Sequence, residues 1–349
     1  MTIYREATIK DDSCLLKLIN AASMPGIIEL RTSRDPSFYN LISKRGVSKV
    51  FVAEEENELV GAICVTQETA FINKKPSKLF YISDFRVGYA HRNKGIGLQL
   101  TNKAVAYMED QNADFVFLNV SKGNKRPFVF FSNRAHYPDF ENIGIFNIYQ
   151  FLGSKKKTTN EFQVVRTTLN QETIDFLNEF YQDYQLAQVV EPSQLEDATI
   201  YKVEENGTLI AVMCLVDYSN CRQHIALKLP WYLRMFISII NLLRTIAGAN
   251  PLPSTNQPIN MLNIKYLAVK KKDNKLIKSL IRRAQNEVHL KSYSFVSLGL
   301  HEKDSLNQIL PGFFRITFNS VGMMVTMKNN QKLMDMVNNG IPYKDFSTV

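Results

Sequence analysis

A strand, a glycine loop and a helix follow one another without a gap over residues 78–108, KLFYISDFRVGYAHRNKGIGLQLTNKAVAYM. Residues 79–87 are mostly aromatic, β-branched or apolar, which is typical of a strand buried on both faces. After the glycine loop, apolar residues recur at helical spacing from Leu98 to Met108. This stretch restricts the fold more than any other, because it predicts where a buried strand ends and a helix begins.

Gly95 and Gly97 lie at the predicted start of that helix. Glycine allows a positive φ and a close approach of the backbone to a ligand, and the first N–H groups of a helix have no intrahelical partner. The helix dipole and the neighbouring Arg92 and Lys94 favour an anion such as a pyrophosphate. A bare Gly-x-Gly pair fits an ordinary strand-to-helix turn at least as well, so the interpretation depends on the flanking residues.

Those flanking residues follow the pattern Tyr81-x-x-Asp84-Phe85-x-Val87, then Arg92-x-x-Gly95-x-Gly97. The pattern closely resembles the acyl-CoA-binding core of the GNAT superfamily of N-acetyltransferases, and its strand is most similar to the polyamine and diamine acetyltransferases. The resemblance covers about residues 1–150 and continues in a second strand, 115–120, and an Asn-containing turn. It implies a bulge in the first strand, pantetheine pairing along that strand, and CoA pyrophosphate in the loop. The implied acetyl-CoA-binding residues are Phe85, Arg86, Val87, Arg92, Asn93, Lys94, Gly95, Ile96, Gly97 and Asn124.

The candidate catalytic residues are Asp84 and Tyr137. Many family members carry a tyrosine near the thiolate leaving group, but this chain has Phe131 there, and a phenyl ring cannot donate a proton. Tyr137, water or solvent would then protonate the thiolate. Asp84 could hold the acceptor amine or deprotonate it, directly or through water; it could equally be a strand aspartate bonded to nearby backbone or a lysine. Ser83 stands where the polyamine enzymes carry a carboxylate, which weakens the case for a polyamine acceptor.

A length of 349 residues suits two domains. We expect a GNAT acetyl-CoA-binding domain over residues 1–153, a polar linker over 154–160, and a degenerate GNAT-like domain over 161–349. The second half repeats the order of strand, helix, strand, turn and strand over 162–216, and strand, helix and strand over 264–300. Its loop at 270–276 has no glycine, so only the first half is expected to bind CoA. The predicted fold is α+β, with three α/β/α layers and a central, mostly antiparallel sheet.

The formal net charge of +9 helps to attract an anionic ligand such as CoA. The basic runs 155–157 and 270–272 are short and lack interleaved aromatic residues, so nucleic acid is not an expected partner. The four cysteines have no Cys-x-x-Cys spacing, which predicts neither a disulfide framework nor a metal site. The N-terminus has no apolar h-region, so a signal peptide is not predicted and a cytoplasmic location is expected.

Residues 229–248 form an apolar helical stretch interrupted by Arg234 and Arg244. The uncharged part is too short for a transmembrane helix. Three interpretations stay open: a helix buried between the two halves, a lid over an apolar acceptor pocket, and a helix at a membrane interface.

The expected function is direct transfer of an acetyl group from acetyl-CoA to the primary amine of a small molecule or a peptide. One alternative is a non-catalytic, regulatory acyl-CoA-binding protein, which Phe131 would permit. Another is a tandem acyltransferase that acts on a peptide, an aminoacyl-tRNA or a lipid-linked amine. A monomer and a homodimer are both compatible with the sequence.

Overall fold

The computed structural model of this protein describes residues 1–21, 23–24, 28–124, 130, 139–155, 161–271, 273–327 and 330–349. In the first half the described strands are β1 (Ile3–Glu6), β2 (Ser23–Met24), β3 (Glu29–Ser33), β4 (Val47–Glu55), β5 (Glu58–Ile72), β6 (Lys75–Val87), β7 (Phe115–Ser121) and β8 (Glu141–Leu152). The longer described helices of this half are α1 (Asp12–Asn20), α2 (Phe38–Ile42) and α3 (Ile96–Asp110).

The second half repeats much of this order of elements. Its described strands are β9 (Val165–Thr167), β10 (Thr199–Glu205), β11 (Thr208–Val216), β12 (Gln223–Lys228), β13 (Pro258–Ile259), β14 (Met261–Val269), β15 (Phe295–His301) and β16 (Arg315–Thr326). Its longer described helices are α4 (Gln171–Tyr181), α5 (Trp231–Ala247), α6 (Asn274–Leu290) and α7 (Gln331–Asn339). The predicted repeat over 162–216 and 264–300 therefore corresponds to β9, α4, β10, β11, β14, α6 and β15, with β12, α5 and β13 inserted between β11 and β14.

One large sheet holds both halves together, in the strand order β1-β4-β5-β6-β7-β16-β8-β15-β14-β11-β10-β9. The pairs β6·β7 and β14·β15 are parallel, and the other neighbours are antiparallel. Each parallel pair is connected by a helix, α3 or α6, as a parallel crossover requires. The order of corresponding strands is the same from either end, so the fold is a tandem repeat and the predicted α+β class is confirmed.

The last strand of each half pairs with the other half. β8 lies between β15 and β16, while β16 lies between β7 and β8. The sequence predicted β8 as the closing strand of the first half but did not predict this exchange. The boundary between residues 1–153 and 161–349 stays a prediction, and residues 156–160 lie outside the described residues.

The side chains of β4 alternate between the two faces of the sheet, which explains the layers of the fold. Val50 and Val52 pack with α1 and α2, whereas Phe51 and Ala53, one residue out of step, pack with α3. Successive strand residues point to opposite faces of a sheet. Helices therefore cover both faces, which is the three-layer arrangement expected.

A second, smaller sheet also joins the halves, in the order β13-β12-β3-β2. β12 of the second half pairs with β3 of the first, with His224 opposite Thr32. The His224 Nδ1 atom lies 3.2 Å from the Thr32 hydroxyl. This pairing holds β3, which lies just before α2, against the second half.

Helix α5 lies on the surface. None of its described side chains is buried, and several large apolar ones are exposed. The interpretation of this segment as a helix buried between the halves is therefore wrong. Within the part of the chain that the structure describes, no helix combines the length and the apolar character needed to cross a bilayer.

Candidate functional site

Strand β6 separates from β7 at a bulge. The parallel register runs from Leu79↔Phe115 to Ile82↔Leu118, yet β6 continues to Val87. On the other edge of β6, Ser83 pairs with Cys64 and Arg86 pairs with Ala62, so two residues of β6 oppose one of β5. The extra residues are Asp84, which has a φ of +51°, and Phe85. A bulge of this kind redirects the strand and is common beside functional sites.

The parting of β6 and β7 also leaves a buried amide side chain next to Leu118. Neither the Nδ2 nor the Oδ1 atom of Asn119 makes a hydrogen bond to the described residues. A buried amide without partners is costly, so these two atoms are suited to contact with a polar ligand at this point of the sheet.

The predicted pyrophosphate loop follows β6 directly. Gly95 is in the left-handed conformation, with a φ of +81°, and is the residue from which α3 starts. The first hydrogen bond of the helix runs from Gln99 N to Gly95 O, at 3.1 Å. Residues 92–95 are exposed, whereas Ile96 is buried in the core. The loop thus presents the basic side chains of Arg92 and Lys94 and the start of a 15-residue helix to solvent.

Gly97 connects the loop to the bulge. A Cβ atom at this position would lie 3.2 Å from the ring of Phe130 and 3.2 Å from the ring of Phe85. The two rings are 5.0 Å apart, centre to centre. A larger residue at 97 would push against both rings, so glycine allows the helix start and the bulge to lie close together.

Asp84 is buried between two arginines. Its Oδ1 accepts a hydrogen bond from Arg34 Nη2 and its Oδ2 accepts one from Arg45 Nη1, both at 2.6 Å. The Arg45 Nη1 atom also donates to Ser83 Oγ at 2.7 Å. Burial alone would raise the pKa of the Asp84 carboxyl, but the charges of the two arginines outweigh it and keep that pKa below its ordinary value.

This environment bears on the predicted role of Asp84 as a base. A carboxylate with a lowered pKa that already accepts from two guanidinium groups is a weak proton acceptor. The same contacts make it an effective anchor, because they fix the bulge residue to the segments that carry Arg34 and Arg45. The assignment of Asp84 as a catalytic residue stays a prediction.

Tyr137 and Asn124, two further predicted positions, lie in or next to a segment that the structure does not describe. Tyr137 is outside the described residues, and so is Phe131. Asn124 is described and closes the turn after β7, where its N–H donates to Ser121 O at 3.0 Å. The predicted residue Phe85 lies in the bulge, Arg86 and Val87 follow it, and the structure brings Phe85 against Gly97.

The sequence analysis missed the arginine cluster and the C-terminal segment beside it. Arg45 Nε donates to Thr348 O at 2.7 Å, and Arg222 donates to the carbonyl oxygens of Phe346 and Val349. Arg34, Arg45 and Arg222 are all buried. No motif surrounds these arginines, and their partners are distant in the chain, so no local signal could have identified them.

In the second half, other residues of the protein occupy the position equivalent to this site. β14 and β15 part after Ile264↔Leu298, and a register slip in β14 sets off Lys265. Tyr343 donates a hydrogen bond to Lys265 O, and Asp345 lies 3.6 Å from Lys265 Nζ. Side chains of the C-terminal segment therefore occupy the position that corresponds to the bulge of β6.

The start of α6 is also closed to an anion. The carboxylate of Asp273 accepts hydrogen bonds from Lys275 N at 2.7 Å and from Leu276 N at 3.3 Å. This N-cap satisfies the N–H groups that a pyrophosphate would need. Among the described residues, no group of three or more His, Cys, Asp and Glu side chains is arranged to hold a metal ion.

Comparison with known proteins agrees with this architecture. Residues 18–130 match the model of the acetyltransferase (GNAT) family. L-2,4-diaminobutyric acid acetyltransferase of Shouchella clausii (strain KSM-K16) is 29% identical over 115 residues, which are 32% of this chain and 62% of that relative. The matched segment thus spans less than two thirds of the curated relative.

Solved structures resemble almost the whole chain. The N-myristoyltransferase of Saccharomyces cerevisiae with bound myristoyl-CoA has a TM-score of 0.61 at 10% identity, over 93% of this chain and 82% of that one. A GCN5-related N-acetyltransferase from Anabaena variabilis ATCC 29413 has a TM-score of 0.55 at 11% identity, over 93% and 72%. At such identities the likeness concerns the fold.

The fold is that of two GNAT-like units in tandem, and the second unit lacks the open loop. Residues 18–130 are similar to a GNAT acetyltransferase domain.

Proposed function

We propose that this protein is an N-acyltransferase that moves an acetyl group from acetyl-CoA to a primary amine, and that the first half alone binds CoA. The main support is the contact of Gly97 with Phe85 and Phe130, because it joins an open helix start to a strand bulge. The pyrophosphate would bind at residues 92–97. The pantetheine would extend along residues 85–87, where β6 has left β7, and the Asn119 amide offers it a partner.

The chemistry needs few protein groups. The neutral amine attacks the thioester carbon, a C–N bond forms, the C–S bond breaks, and the thiolate takes up a proton while the ammonium loses one. Backbone N–H groups near residues 85–87 would stabilise the oxyanion. We assign Asp84 to holding the bulge through Arg34 and Arg45, and proton transfer to water or to Tyr137.

Similar proteins support the choice of the acyl donor and of the amine acceptor. The Shouchella clausii relative is named as an acetyltransferase of a small diamino acid, which supports acetyl-CoA and a small primary amine. The yeast neighbour holds myristoyl-CoA, so longer acyl donors belong in any test. Phe131 favours one second candidate, a regulatory protein that binds acyl-CoA without turnover.

Replacing Gly97 by Leu tests the binding site. We expect CoA affinity to fall by at least about tenfold, the equivalent of about 1.4 kcal/mol, because the side chain would strike Phe85 and Phe130. Gly95→Val should weaken binding too, since it disfavours the left-handed conformation at the helix start. Isothermal titration calorimetry with CoA measures both effects.

Gly207→Val is a matched control, because Gly207 has a φ of +76°, open space around it and a position in the turn between β10 and β11. It should share the backbone strain of Gly95→Val but keep the affinity for CoA. Undiminished affinity in both loop variants would refute the proposed site.

Turnover is tested separately, by incubating acetyl-CoA or myristoyl-CoA with small diamines, diamino acids and peptides. Free thiol release and mass spectrometry of the amines should reveal an acylated product. Tight CoA binding without product across the panel would instead support the regulatory candidate.

A further inference from the structure

Helix α5 presents an unusually apolar surface to solvent. Trp231 is 69% exposed, Leu242 79% and Ile246 86%. The complete set of large apolar residues exposed along this helix is Trp231, Tyr232, Met235, Ile239, Leu242, Leu243 and Ile246. Exposed apolar patches of this kind mark interaction surfaces in water-soluble folds.

These seven residues form one continuous stripe. At 3.6 residues per turn they fall within an arc of about 120°. The rest of the helix surface holds it to the protein: Phe236 stacks on Phe314 at 5.7 Å, and the Asn241 side chain makes two hydrogen bonds with the backbone of Leu252. The apolar stripe is therefore the outward side of a helix that is already docked.

The helix and the segments beside it in the chain carry charges of one sign. Residues 218–272 contain no Asp or Glu and eight Lys and Arg residues, of which Arg222 and Lys265 are buried and Lys270 and Lys271 pair with glutamates. Arg234 and Arg244, on the helix itself, are exposed and make no ion pair among the described residues. Lys228, just before the helix, is paired with Glu29 at 3.3 Å. The free charges that accompany the apolar stripe are thus basic.

We propose that α5 lies flat on an anionic phospholipid bilayer, with the apolar stripe in the interface, Arg234 beside the stripe at the level of the headgroups, and Arg244, on the far side of the helix, adding longer-range attraction. Apolar and aromatic residues beside basic ones are the combination that binds such a surface. The tryptophan at the helix start suits the boundary between headgroups and acyl chains. A second copy of the chain fits less well, because it would bring a second set of unpaired arginines to the contact. This surface activity goes beyond the proposed acyl transfer and does not depend on it.

The chain offers its own probe, since Trp231 is its single tryptophan. Vesicles of phosphatidylcholine with phosphatidylglycerol should shift its emission to shorter wavelength, and brominated acyl chains should quench it. The full-length protein should float with these vesicles in a density gradient and be released by high salt. Vesicles of phosphatidylcholine alone should bind much less protein.

Variants of α5 test which of its residues contact the bilayer. Leu242→Glu with Ile246→Glu should abolish flotation, and Arg234→Glu with Arg244→Glu should weaken it by at least about tenfold. Ile9→Glu is the matched control, because Ile9 is an exposed apolar residue of the first half, and it should float like the wild type. All four helix positions are exposed, so the variants should fold, and circular dichroism checks this.

Three results would overturn the proposal. One is no emission shift and no flotation with anionic vesicles. Another is flotation that the Leu242 and Ile246 variant retains. The third is a dimer, detected by light scattering, that this variant dissociates, because the stripe would then be an interface between two copies.

Discussion

Asp84 illustrates how a motif residue can have a different role from the one its position suggests. Its side chain is 6% exposed and pairs with two arginines that are themselves buried. Removing one member of such a cluster leaves the others charged and uncompensated, which costs far more than the loss of a surface pair. The carboxylate therefore contributes to the stability of the bulge whatever it contributes to catalysis.

Asp84→Asn is expected to lower the free energy of unfolding at pH 7 by about 3–5 kcal/mol, because it removes the countercharge of Arg34 and Arg45. Urea denaturation measures the loss. Asp197→Asn, which breaks the exposed pair of Asp197 with Lys44, should change stability much less. Equal losses in the two variants would contradict the buried-cluster account.

The same substitution should alter the dependence of stability on pH. The folded pKa of Asp84 lies below its ordinary value of 3.8, so its stabilisation is complete above that value and is lost as the pH falls toward the folded pKa. The wild type should thus lose more stability than Asp84→Asn on acidification below about pH 4, and the difference in the free energy of unfolding between the two proteins should become smaller.

At the level of elements, α3 and α6 start differently although they occupy equivalent positions in the repeat. α3 starts from a glycine in the left-handed conformation without a side-chain cap, whereas Asp273 caps α6. One helix keeps its first N–H groups available to a ligand, and the other uses them internally. The second half thus has a capped helix start where the first half has an open one.

Asp273→Ala should lower the free energy of unfolding by about 1 kcal/mol, because it removes the cap of α6. It should leave CoA affinity unchanged, and calorimetry together with thermal unfolding measures the two effects. Asp273→Asn keeps a capping oxygen and should lose little stability. A fall in CoA affinity in Asp273→Ala would mean that the second half takes part in CoA binding.

Across the whole molecule, the exchange of β8 and β16 makes the halves depend on each other. Both neighbours of β8 belong to the second half, and β7 has β16 on one side. Separating the halves would expose the edges of β7 and β8, and exposed strand edges promote aggregation. The unit that folds cooperatively is therefore the whole chain and not either half of the sequence.

Residues 1–155 expressed alone should be insoluble or poorly folded, as should residues 161–349. Co-expression of the two fragments should restore a soluble complex that binds CoA, because β8 and β16 can then pair. Gel filtration and circular dichroism detect both outcomes. A monomeric 1–155 fragment with wild-type CoA affinity would instead support an independent first domain.

The local pattern of residues was sufficient to predict most helices and strands, the tandem repeat and the glycine loop. β11 (Thr208–Val216) and α6 (Asn274–Leu290) follow from apolar periodicity, and Gly95 from the need for a positive φ. Such features depend on contacts between residues that are close in the chain. The family resemblance added a bulge in the strand over residues 79–87, and the register puts it at Asp84 and Phe85.

The remaining features arise from contacts between distant residues, which no local pattern records. Arg45 meets a partner 303 positions away, β8 and β16 pair across the halves, and Asp345 reaches Lys265 from the end of the chain. The composition of α5 is apolar on both sides, so periodicity alone could not tell that one side faces solvent. Which strands pair and which buried charges meet depends on both partners. These partners are brought together only when the whole chain folds.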